Sequence, residues 1–187
     1  MTRDELTDMI SSWQNVDFLS RHLADHPEYI GILVEVALDD SKQEYWRAAW
    51  TMDKINTLNP ELVKAYLPAL FKAIKKTRNL SKMRHFLKII TFHQIPVKQQ
   101  GFLFDRCLNI FTDRSVPIAV RAHALQILYQ ITQGEPGLKP ELERIIEHEL
   151  SLEQSAGIRA KGRKVLLLLF RQNHHPDVTG KTRQKRP

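Results

Sequence analysis

Val120-Arg121-Ala122-His123-Ala124-Leu125-Gln126-Ile127-Leu128 is an uninterrupted helical stretch, free of glycine and proline, and its second residue opens a repeat. Arginine recurs at Arg47, Arg84, Arg121 and Arg159, at spacings of 37, 37 and 38 residues. A fixed period of this length marks an array of two-helix units. The residue before each arginine is apolar (Trp46, Met83, Val120, Ile158), and so is the residue eight after it (Ile55, Phe92, Tyr129, Leu167). At about 100° per residue these two columns lie on nearly opposite sides, which predicts that each arginine-bearing helix is buried on two faces.

Serines stand just ahead of these helices, at Ser41, Ser81, Ser115 and Ser155, where a hydroxyl is suited to N-capping. Prolines at Pro27, Pro60, Pro96 and Pro140 each open another helical stretch, since the first turn loses nothing by a missing N–H. Proline-started and arginine-bearing helices therefore alternate. The predicted pairs are 27–38 with 42–56, 60–75 with 80–92, 96–112 with 116–133, and 138–150 with 155–171, and residues 4–25 supply capping helices. The stretch Gln133-Gly134-Glu135-Pro136-Gly137 lengthens one connection. No segment shows the alternation of a strand, so the fold class is all-α.

These residues resemble the HEAT repeat, whose second helix reads as an acid, a short gap, then Val-Arg-x-x-Ala-x-x-x-Leu. Asp113 precedes Val120-Arg121 in this manner, Asp40 precedes Trp46-Arg47-Ala48-Ala49-Trp50, and Glu153 precedes Ile158-Arg159-Ala160-Lys161-Gly162. The copy at Met83-Arg84-His85-Phe86 departs from the pattern, with Asn79 in place of the acid and a bulky pair where small residues are expected. The resemblance covers residues 27–171. It implies a right-handed α-α superhelix, a solenoid of about four helix pairs. It also implies a structural role for Arg47, Arg84, Arg121 and Arg159, bridging neighbouring loops through an acid or carbonyls. Chain length fits a single domain, taken over 1–172, and residues 173–187, basic and without an apolar face, are expected to be a disordered tail.

The net charge of +7 conceals a strong polarity. Residues 1–60 hold five Lys/Arg against eleven Asp/Glu, and residues 61–134 hold twelve against three. Residues 135–153 are acidic again, two against six, and residues 154–187 carry nine against one. No acid occurs between Glu61 and Asp105. Within that stretch Lys72, Lys75, Lys76, Arg78, Lys82, Arg84 and Lys88 bracket one helix-to-helix turn and are the candidate anion-binding residues, with Lys72, Lys76 and Lys82 expected to be exposed. Arg159, Lys161, Arg163 and Lys164, with Lys181, Arg183, Lys185 and Arg186, form a second basic zone.

Cys107 is the single cysteine, which excludes an intrachain disulfide and a thiolate metal centre and fits a reducing compartment. The first residues carry Asp4, Glu5 and Asp8 rather than a basic start and an apolar run, and the longest apolar run, Val165 to Phe170, is far short of a bilayer span. A cytoplasmic location without membrane contact is expected.

Catalytic signatures are missing: there is no glycine-rich phosphate loop, nucleophile elbow, His-Glu-x-x-His or Cys-x-x-Cys. Tyr45, Trp46 and Trp50 with Asp53 resemble the aromatic and carboxylate residues of HEAT-like DNA alkylation-repair glycosylases. That family places its Asp four residues after a Trp, whereas Trp50 stands four after Trp46 and Asp53 three after Trp50, so no catalytic role carries over. His174-His175-x-Asp177 is the only local group of metal-ligand types, and its tail setting supplies no ordered second shell. His85 and His123 occupy non-equivalent repeat positions and mark no repeated site. The expectation is a non-catalytic scaffold that binds a protein partner along the solenoid, with no metal, cofactor or small-molecule substrate. The alternative is a nucleic-acid or polyanion binder that uses the basic patches and is related to those glycosylases.

Overall fold

The computed structural model describes residues 1–174. Eleven α-helices follow one another there without a strand: α1 (Arg3–Ser11), α2 (Val16–Asp25), α3 (Ile30–Leu38), α4 (Trp46–Leu58), α5 (Glu61–Lys64), α6 (Leu67–Lys76), α7 (Leu80–Ile90), α8 (Val97–Thr112), α9 (Ile118–Gly134), α10 (Lys139–Leu152) and α11 (Ala156–His174). The helix pairs are thus α3/α4, α5–α6/α7, α8/α9 and α10/α11, after the capping helices α1 and α2. Helix α11 runs to His174, two residues into the stretch predicted to be disordered. The rest of that tail, with the remainder of the His174-His175-x-Asp177 group and the cations from Lys181 onward, lies outside the described residues.

Local chemistry explains most boundaries. Thr2 and Glu5 close a reciprocal capping box on α1. Pro68 lacks the N–H that would bond back to Lys64, so the helix predicted over 60–75 stops at Lys64 and restarts as α6. At the start of the second helices the serine backbone, rather than the hydroxyl, carries the connection, and Ser81 lies within the first turn of α7, which Asn79 caps. The N–H groups of Ser41, Ser81, Ser115 and Ser155 donate to the side chains of Asp39, Asn79, Asp113 and Glu153, each two residues earlier, at 2.8, 3.0, 2.9 and 2.8 Å. The same side-chain-to-backbone turn is therefore built four times, and Asn79 performs it as well as the acids do. Only Ser155 also accepts a bond as a cap, from the N–H of Ile158.

The second helices stack on one another: α2 on α4, α4 on α7, α7 on α9 and α9 on α11. The first helices α6, α8 and α10 pack closely with their own partners rather than with each other, so the second helices form the tighter, inner layer. One apolar core runs the length of the array, from Leu6 in α1 to Leu169 in α11. Cys107 is part of it on α8, and burial pushes its thiol pKa up. Helices α7 and α9 bury more residues than their proline-started partners, as the two-column pattern predicts; α11, at the end of the stack, exceeds α10 only slightly among the described residues, with Ile158, Gly162, Val165 and Leu169 buried against Leu142, Ile146 and Glu149.

The second apolar column is displaced from its predicted position. Eight residues after the arginine, Ile55 is buried, but Phe92 and Leu167 are 47% and 49% exposed. Six residues after it, Asp53, Ile90, Ile127 and Val165 are all buried. Counting from the apolar residue before each arginine, that position lies seven residues on, along the same stripe of a helix rather than the opposite side.

Gly162 allows α11 to lie close to α10, because a Cβ there would stand 2.8 Å from Leu150 Cδ2 and 3.2 Å from its Cγ. Gly162→Val is therefore expected to cost about 1–3 kcal/mol through overpacking, measured as a lower urea midpoint. An unchanged midpoint would mean that α11 shifts freely.

Candidate functional site

The inner layer carries a polar lattice beneath an aromatic surface. Asp53 on α4 is 3% exposed. His85 Nδ1–H donates to its Oδ2 at 3.0 Å, and the Lys88 ammonium reaches both carboxylate oxygens, at 2.9 and 3.0 Å. Burial pushes the Asp53 carboxyl pKa up, but the bonds from His85 and Lys88 prevail and hold it below the usual carboxylate range. Above this lattice the half-buried rings of Trp46 and Trp50 lie nearly parallel, with centroids 5.8 Å apart, and each stacks on His85, at 6.2 and 6.3 Å. Asp53 is thus a positioning carboxylate with its charge matched, and the tryptophans are held rigidly at the surface.

Next to this lattice a groove of about 420 Å³ opens between α7, α9 and α11. Phe92 and Ala122 form its apolar side, and Lys88, His123, Gln126 and Lys161 its polar side, with Thr91, whose hydroxyl donates to the Lys88 carbonyl, also in the lining. Lys161 Nζ donates to Gln126 Oε1 at 2.5 Å. Burial pushes the His123 pKa down to about 4, with Asp53 acting against the shift and Lys88, Arg84 and Lys161 adding to it. A larger cleft of about 550 Å³ lies between α8 and α10 on the outer layer, but it mixes Glu141 and Glu149 with Arg144 and His148, and Glu149 is paired with Arg114 at 3.6 Å, so its lining is not of one sign.

The seven candidate cations do not form one patch. Lys72, Lys75, Lys76 and Arg78 are exposed at the end of α6 and the following turn, with Lys75 lying 4.4 Å from the centre of the Phe102 ring on α8. Arg84 and Lys88 lie on the inner layer. Lys82, predicted to be exposed, is fully buried: its Nζ donates to the Asp39 carbonyl and to Asp40 Oδ1, the latter at 2.8 Å. Two loop groups from the preceding pair draw it inward, while Arg84, about 200° further round the helix, faces outward.

The repeat arginines likewise separate. Arg121 performs the bridging role, with Nε donating to the Phe111 carbonyl at 2.8 Å and Nη1 lying 2.6 Å from Glu153 Oε2 of the next pair. Arg47 is half-buried over the Trp46 ring with its Nε unpartnered, and Arg84 and Arg159 are exposed. Lys82 and Arg3 supply comparable bridges elsewhere, Arg3 to Asp39. Among the described residues no three His, Cys, Asp or Glu side chains come together to hold a metal ion, and no helix is long and apolar enough to cross a membrane.

A signal for the site was present in the repeat columns. One residue after the arginines stand Ala48, His85, Ala122 and Ala160; six after them, Asp53 replaces Ile90, Ile127 and Val165. Two after them, Ala49 and Phe86 give way to His123 and Lys161. Polar residues intruding into small or apolar columns thus identify both the lattice and the groove.

Comparison with curated proteins and with solved structures gives no match. A family model described as a HEAT repeat domain matches residues 2–169. The stacked helix pairs, the repeated loop turn and that match over nearly all the described residues lead to one conclusion: the chain belongs to the HEAT repeat domain family.

Proposed function

We propose that the protein is a non-catalytic interaction scaffold that binds a protein partner along the inner layer of second helices, where acidic groups of the partner meet Arg84, Lys88 and Lys161. The observation that supports this reading most is the rigid Trp46–Trp50 surface held over the Asp53–His85–Lys88 lattice. Fixed half-exposed aromatics flanked by cations are the composition of interface hot spots. A buried lone thiol at Cys107 agrees with work in a reducing compartment such as the cytoplasm.

Single-stranded nucleic acid is the second reading, favoured by the parallel tryptophans, on which bases stack. Against it, the basic block is divided between two layers and Lys82 is consumed in the interior, so among the described residues no continuous cationic track follows the array. A glycosylase-like use of Asp53 is opposed by its closed pairing with His85 and Lys88.

A photo-crosslinking residue at position 84, on the inner layer, and another at position 72, on the outer, test the proposal in cells. A discrete protein adduct is expected from position 84, lost on Trp50→Ala, and none from position 72. A nuclease-sensitive adduct from position 84 would favour the second reading, and adducts from position 72 alone would overturn both.

A further inference from the structure

The groove between α7, α9 and α11 is lined by hydrogen-bond donors in excess of acceptors. Lys161 is half-buried and, among the described residues, its ammonium has no carboxylate within ion-pair reach; its one partner is the Gln126 carbonyl oxygen. That bond occupies the acceptor of the Gln126 amide and leaves its NH₂ to donate. The His123 ring makes no hydrogen bond among the described residues, and a neutral imidazole has one N–H to offer. Lys88 adds a second ammonium at the rim, itself matched by Asp53. A half-buried cation kept without a counter-charge is costly unless a ligand supplies one. Phe92, 47% exposed against the groove, gives the same ligand an apolar wall.

We infer that this groove is a binding site for a phosphate monoester, in which the Lys161 ammonium, the Gln126 amide and the His123 ring face the phosphate oxygens while Phe92 and Ala122 cover the group that carries it. A phosphate dianion only accepts hydrogen bonds and presents three terminal oxygens, which suits a donor-rich array better than a carboxylate with two. The inference gives a chemical identity to the anionic group that an inner-layer partner presents, and to that extent rests on the reading above. The phosphate carrier is either a phosphorylated side chain of a protein or a free phosphorylated metabolite, and the chemistry at the groove is shared by both.

His123 reports directly on occupancy. Its pKa is down at about 4 because of burial and of Lys88, Arg84 and Lys161, with Asp53 opposing them. A bound phosphate anion, dianionic above about pH 6 and still singly charged at about pH 4, opposes the same three cations and raises it. The experiment is an NMR titration of the His123 imidazole in the full chain, with inorganic phosphate or with chloride at equal ionic strength. Phosphate is expected to raise the His123 midpoint and chloride to leave it in place. Lys161→Gln should weaken phosphate binding about tenfold, the size of one lost charge-assisted contact, while Lys72→Gln should not change it. Phosphoserine binding more tightly than ribose 5-phosphate would assign the site to a protein partner, and the reverse order to a metabolite. Equal responses to phosphate and chloride, or an affinity unmoved in Lys161→Gln, would overturn the inference. Because the titration needs no partner, its failure leaves the crosslinking result standing, and the converse holds too.

Discussion

Lys82→Glu is expected to destabilise the protein by about 4 kcal/mol or more, the range reserved for unpaired buried charge, whereas Lys72→Glu and Lys76→Glu each stay within about 0.5 kcal/mol. The substitution would aim a carboxylate at the Asp39 carbonyl and at Asp40 Oδ1, the two oxygens that now accept from the Lys82 ammonium in a fully buried position. For a chain of this size the loss corresponds to a fall in Tm of roughly 8–16 °C. Lys82→Met separates the contributions, because it keeps most of the side-chain volume and leaves the oxygens without a donor, so an intermediate loss is expected. Thermal melts of the four variants decide the matter. If all four behave alike, Lys82 is not the interior tie described.

Arg121→Ala is the second large effect, at about 3 kcal/mol, the lower end for breaking a buried ion pair. The side chains of Arg121 and Glu153 are 3% and 7% exposed, and the guanidinium also satisfies the Phe111 carbonyl at the end of α8. Removing it leaves the Phe111 carbonyl without its donor and the Glu153 carboxylate without its counter-charge, held only by backbone N–H groups such as that of Ser155, at the joint between two pairs. The pH dependence follows with a definite sign. Bonds from the Ser155 backbone, then from Arg121, hold the Glu153 carboxyl below its ordinary pKa in the folded state. Its contribution is therefore present above the unfolded carboxylate pKa and is lost as pH falls through the lower folded value. The gap in stability between wild type and Arg121→Ala should narrow on acidification. A constant gap from pH 7 to pH 3 would show that Glu153 is not the partner that matters. Arg84→Ala and Arg159→Ala, at exposed positions of the same column, should cost far less.

The pair boundaries were legible because proline and arginine columns recur with the period of the fold, and both report local backbone chemistry. The loop bonds were only half legible. Asp39, Asn79, Asp113 and Glu153 each stand two residues before a serine, but which atom of the serine takes part depends on backbone direction, so the hydroxyl was expected where the N–H acts. Charge along the chain misled for a related reason. Lys82 and Arg84 are near neighbours in sequence yet about 200° apart on a helix, while Arg84 and Lys88 are about 40° apart. A linear run of cations was therefore divided among the interior, the inner layer and the outer layer. Lattice and groove are built across helices about one repeat apart, Asp53 with His85 and Lys88, His123 with Lys161. A repeat alignment shows such residues only as exceptions within columns.

Cys107 gives the array an internal clock. It is the only thiol in the chain, it lies in the core on α8 midway along the stack, and burial suppresses its thiolate, so a thiol reagent in solution reaches it only when the surrounding repeats part. With labelling fast relative to reclosure, the rate of adduct formation equals the rate at which the middle of the solenoid opens; with labelling slow, it measures how often the open form is present. Native-state labelling of the unmodified protein therefore reads the cooperativity between repeats without any added probe. A ligand that ties α7, α9 and α11 together would be seen as a lengthening of that interval.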